Sequence, residues 1–169
     1  MKAFIIIIVT LTTIQSCQKD GEIHIIENND KEISLRCNCD TIPTVNPILY
    51  QKWLLENIEM TNGETITPPN NLEELTLTFI EENKVLAFGS MNTLIGSFKT
   101  YSNRCINIDG FGGTEVGPGS EEQQQWESRF KKALKSAECY NYNSEENRLI
   151  ISYKKNNKYN IMNFSLYEF

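Results

Sequence analysis

Apolar and polar residues change period several times along this chain, and each change marks an element. Residues 3–11 form one unbroken apolar run containing Phe4-Ile5-Ile6-Ile7-Ile8-Val9, with Lys2 in front of it. A basic residue followed by an apolar stretch too short to cross ~30 Å of hydrocarbon with comfort reads as a secretory signal, not a transmembrane anchor. Alternation begins further on. Ile33 and Leu35 alternate with Ser34 and Arg36, as a half-buried strand requires, ahead of the turn-rich residues 37–47. Residues 50–58 carry Trp53, Leu54 and Leu55, and residues 59–71, with Pro68-Pro69, read as an exposed loop. The clearest strand is Leu75-Thr76-Leu77-Thr78-Phe79, which residues 81–84 turn into Val85 to Phe88 as a hairpin. In residues 94–101, Gly96 interrupts a strand pattern and predicts a bulge. Residues 105–108 make another short strand.

Residues 109–120 hold five of the nine glycines and one aliphatic residue, Val116, which predicts a mobile loop or an ordered Ω-loop. Ser120 with Gln123 three positions later is a capping-box pair, so a helix is expected from Glu121 to Glu138. Trp126, Phe130, Leu134 and Ala137 fall on one stripe of that helix and need an apolar surface to cover. Leu149-Ile150-Ile151, a turn at residues 154–158 and residues 159–169 finish with a long hairpin. The fold class that follows is α+β: a curved, mainly antiparallel β-sheet, a partly open barrel, with one amphipathic helix packed on it.

The chain ahead of that domain is an address. Ile14-Gln15-Ser16-Cys17 resembles the bacterial lipobox, in which an aliphatic and a small residue precede a cysteine that takes acyl chains such as palmitate and becomes the new N-terminus. Residues 1–16 are then a lipoprotein signal peptide, 17–31 a lipidated tether and 32–169 one globular domain. The segment after Cys17 reads Gln18-Lys19-Asp20-Gly21-Glu22, with no aspartate next to the cysteine, which points to the outer membrane and its outer face.

Composition narrows the function classes. The 169 residues include 16 Lys or Arg and 22 Asp or Glu, a formal charge of −6, which supplies no electrostatic footprint for nucleic acid. One histidine, His24, lies in the tether, so Ser-His or Cys-His nucleophilic chemistry is not expected and the chain does not read as an enzyme. Four cysteines follow Cys17: Cys37, Cys39, Cys105 and Cys139. In an exported chain these are disulfide candidates. Cys37 and Cys39, one residue apart, would strain to bridge each other, so each is expected to reach across to Cys105 or Cys139. Their spacing is narrow for zinc, and Asp109 with Glu115 matches no calcium loop, so neither a metal nor another cofactor is expected.

The order of features resembles a known family. Trp53-Leu54, Leu77-Thr78-Phe79, Gly89-Ser90-Met91-Asn92 with Gly96-Ser97-Phe98 close behind, Thr114, Glu127 and Leu134 on the helix, Leu149 to Ile151 and Phe164 together look like the META domain, over residues 50–169. That resemblance implies a small antiparallel β domain with a packed helix, found in heat-shock-associated envelope lipoproteins and without established catalytic residues. Two departures stand out: the usual Gly-Cys-Asn is Gly89-Ser90-Met91-Asn92 here, and the usual Thr-x-x-Cys is Thr114-Glu115-Val116-Gly117. A disulfide that some members form between those places is therefore absent, and Cys105 and Cys139 would supply a different staple. Asn92 reads as a turn residue that satisfies its own backbone, and Glu127 as a solvated or capping carboxylate. The expected function is a non-catalytic envelope lipoprotein that binds or protects something at the outer membrane, its partners the membrane through its lipid and an envelope or extracellular protein. The alternatives are a surface protease inhibitor presenting a disulfide-supported loop, 109–120 or 59–71, and a small-ligand carrier.

Overall fold

In the computed structural model the described residues are 49–101, 104–114, 119–143 and 145–168. The strands are β1 (Lys52–Glu59), β2 (Thr65–Ile66), β3 (Thr76–Ile80), β4 (Lys84–Phe88), β5 (Thr93–Thr100) and β6 (Ile106–Gly113); after helix α1 (Glu121–Lys135) come β7 (Ala137–Asn143), β8 (Arg148–Lys155) and β9 (Lys158–Leu166). They form one sheet in the order β6-β5-β4-β3-β1-β9-β8-β7, with β2 on the end of β1. Every pairing is antiparallel. The order puts the first and last strands side by side in mid-sheet, so the two outer strands, β6 and β7, flank the helix in sequence.

Those outer strands meet. Cys105, just ahead of β6, pairs with Cys139 of β7 as an isolated antiparallel bridge. Beside it the Tyr140 amide donates to the Arg104 carbonyl at 2.8 Å and Arg104 Nη1 donates to Asn141 Oδ1 at 2.6 Å. The sheet is thus the partly open barrel that the strand patterns predict.

Its interior is filled. Trp53, Phe79, Phe98, Phe130 and Phe164 are fully buried. Phe79 and Phe98 meet edge to face at 4.9 Å, and Phe130 of α1 lies 6.3 Å from Phe164 of β9. The helix stripe faces inward, with Trp126, Phe130, Ala133 and Leu134 buried, and Ser120 and Gln123 form the expected reciprocal capping box.

Three departures from the sequence expectation have physical causes. The helix stops at Lys135, not at Glu138, and Ala137 starts a strand. Ala137 continues the helical stripe in sequence, so periodicity does not reveal the stop. The competing force is tertiary: Ala137, Cys139 and Tyr140 are buried on β7, and the Lys154 amide donates to the Ser136 carbonyl at 3.1 Å, drawing the chain into the ladder with β8. A second departure is that residues 109–113 are paired strand, part of β6, not loop.

The glycines there serve close approach, not mobility. The β5–β6 register shifts between Ile95 and Ser97, the bulge expected at Gly96. A Cβ on Gly96 would sit 2.7 Å from the Asp109 carbonyl oxygen, and one on Gly113 2.6 Å from that of Thr93. Gly110 adopts a φ of +70°, in the left-handed region that favours glycine. The third departure is the position of the last turn. Asn156 and Asn157, with φ of 53° and 61°, form a tight two-residue connection between β8 and β9, so β8 extends to Lys155.

Candidate functional site

Five of the residues that carry the family resemblance, Gly89, Ser90, Asn92, Thr114 and Glu127, converge on one turn. The Gly89 amide donates to the Asn92 carbonyl at 3.0 Å, closing residues 89–92 between β4 and β5. That turn rests on α1 one helical step from the buried Trp126. The Asn92 amide donates to Glu127 Oε2 at 2.9 Å, and Asn92 Nδ2 donates to Glu127 Oε1 at 2.8 Å. The Ser90 hydroxyl donates to the Gln123 carbonyl at 3.4 Å. Thr114 joins from the end of β6: its hydroxyl donates to Asn92 Oδ1 at 3.4 Å and accepts from the Thr93 amide at 3.2 Å.

A carboxylate with both oxygens committed to hydrogen bonds is a clamp, not a free base. It accepts from the backbone and side-chain amides of a buried asparagine and fixes the helix to the β4–β5 corner. Gly89 has a steric reason to be glycine, since a Cβ there would lie 2.7 Å from Glu127 Cγ. The contact between Asn92 and Glu127 was not legible in the sequence: 35 positions apart, neither spacing nor periodicity links them. Asn92 does not satisfy only its own turn, and Glu127 is not a solvated carboxylate. Glu127→Ala is expected to destabilise the domain by about 1–3 kcal/mol, because the Asn92 amide and side chain lose their acceptor. Urea unfolding measures it, and a variant indistinguishable from the parent would contradict the clamp.

The other sequence candidates are dispersed. Cys105 and Cys139 are 1% and 5% exposed, and both are disulfide-bonded. Directly opposed antiparallel residues stand ~4.5–5.5 Å apart at Cα, inside the range a disulfide between these two would span. The ties expected from Cys37 or Cys39 to these two fall on residues outside the described ones. Cys17, His24, Cys37 and Cys39 lie outside the described residues. Asp109 is exposed and accepts from the Gly110 amide at 2.6 Å, while Glu115 is outside the described residues. Among the described residues no group of three or more His, Cys, Asp or Glu side chains could hold a metal ion, and no helix is long and apolar enough to cross a membrane.

The model of the META domain matches residues 46–164. Among solved structures the chain is similar to the NMR structure of a protein from Burkholderia xenovorans, with a TM-score of 0.55 and 14% identity, covering 81% of this chain and 100% of that one. It also matches the crystal structure of a duf4847 family protein from Bacteroides vulgatus, with a TM-score of 0.49 and 15% identity over 70% of this chain and 94% of that one. The first likeness speaks for the fold alone. Among curated proteins nothing matches the chain.

Proposed function

This chain belongs to the META-domain family, and from that premise we propose that it is a non-catalytic lipoprotein of the bacterial envelope, acting by binding or protection at the outer membrane. Cys17 carries the acyl chains, and the residues that follow it tether the barrel to the membrane. Several acyl chains make such an anchor effectively permanent, whereas a single chain holds a protein only marginally.

The observation that carries the binding role is the filled interior. Five fully buried aromatic side chains, Trp53, Phe79, Phe98, Phe130 and Phe164, occupy the space in which a carrier of this architecture would hold its cargo. A ligand is then met on the outer surface. The inhibitor alternative loses part of one of its loops, since residues 109–113 belong to β6, which pairs with β5. Metabolic labelling with a fatty-acid analogue tests the anchor: the chain should be labelled and Cys17→Ala should abolish the label. Label that persists on Cys17→Ala overturns the proposal. Protease shaving of whole cells should degrade the protein, and full protection would overturn its outer-face placement.

A further inference from the structure

The face of α1 turned away from the Glu127 clamp borders an open groove of about 650 Å³, whose other wall is the end of the β8–β9 hairpin. In a chain of formal charge −6, four cations line it, Arg129 and Lys132 from the helix and Lys154 and Lys155 from β8, against one carboxylate, that of Glu121. None of the four cations has an ion pair among the described residues. Like charges gathered in excess of counter-charge repel one another, and an anion seated between them would reduce that cost.

The groove is also organised. The Arg129 guanidinium lies over the Trp126 ring, 4.7 Å from its centroid, and Trp126 is locked in the core. Lys154 Nζ lies over the Tyr159 ring at 5.8 Å. The Lys154 amide bound to the Ser136 carbonyl fastens the hairpin wall to the helix end. The Tyr153 hydroxyl adds a neutral donor: burial raises its pKa from the ordinary phenol value, and the positive charge of Arg129 offsets part of that rise.

We propose that this groove binds a small phosphorylated ligand, its phosphate oxygens held between the Arg129 guanidinium and the Lys132, Lys154 and Lys155 ammonium groups. Arg129 offers the planar fork that matches phosphate, and the lysines supply point charges around it. The volume suits a ligand the size of a phosphorylated sugar or a lipid phosphate headgroup, which share the same phosphate ester chemistry. The inference goes beyond the envelope role proposed above and stands whether or not Cys17 is acylated.

Calorimetric titration of the full chain with inorganic pyrophosphate tests it. One saturable site is expected. Arg129→Gln combined with Lys154→Gln should weaken binding at least about tenfold, since each removes a hydrogen bond to a charged group. Lys99→Gln, on the exposed face of β5, should leave it unchanged. Co-sedimentation with vesicles then distinguishes the sources: phosphatidic acid vesicles bound and released by pyrophosphate identify a headgroup, while pyrophosphate binding without vesicle binding identifies a soluble phosphate. Absence of a saturable site, equal affinity for chloride and pyrophosphate, or binding unaltered in the Arg129/Lys154 variant would each overturn the proposal. Circular dichroism identical to the parent shows that a loss in the double variant is not misfolding.

Discussion

Trp126→Ala is expected to lower the unfolding free energy by about 3–5 kcal/mol, the range for truncating a buried large aromatic side chain. Trp126 is 6% exposed and shares the inward stripe of α1 with Phe130, Ala133 and Leu134. A helix of 15 residues is marginal on its own in water and holds its shape here chiefly because that stripe closes the barrel. Removing the indole opens a cavity next to Phe130 and also takes away the ring over which Arg129 is held. Urea unfolding measures the loss, with Ser128→Ala on the exposed face as a control expected to stay within about 0.5 kcal/mol. A loss under about 1 kcal/mol for Trp126→Ala would mean that the stripe does not hold the core together.

Replacing Cys105 and Cys139 together by serine is expected to cost about 2–4 kcal/mol, chiefly by releasing a constraint on the unfolded chain. Both must change, because one substitution leaves a buried free thiol. In the folded state the pair joins the two edges of the sheet at the position where β6 and β7 meet. Peptide mapping without reduction should recover one cross-linked fragment containing both residues, and the double variant should unfold at lower urea concentration. An unshifted midpoint would contradict a stabilising role for the bond.

Strand alternation, the capping box at Ser120 and the helical stripe were all legible in the sequence because each depends on neighbours a few positions away. What was not legible depends on distant partners. Ala137 satisfies the helical period as well as a strand does, and only β8, lying beyond a turn, decides between them. The glycines of residues 109–113 resemble a loop in composition, yet Gly96 and Gly113 are small because carbonyl groups of a neighbouring strand approach them. The Asn92–Glu127 clamp and the Cys105–Cys139 pair are likewise long-range contacts, made by the closing of the sheet. The groove cations were visible individually as basic residues, but Lys132 and Lys154 come together only when the β8–β9 hairpin folds against the end of α1.

The central claim is that the two outer strands of the sheet meet beside the Cys105–Cys139 bridge, around a filled interior. Hydrogen exchange at the Tyr140 amide tests that closure most directly, because this amide donates to the Arg104 carbonyl across the junction of the outer strands. The account predicts protection comparable to the amides of Ile151 and Met162 in the middle of the β8–β9 ladder. Exchange at Tyr140 as fast as at an exposed amide, with β8 and β9 still protected, would show that the sheet is open at β6 and β7.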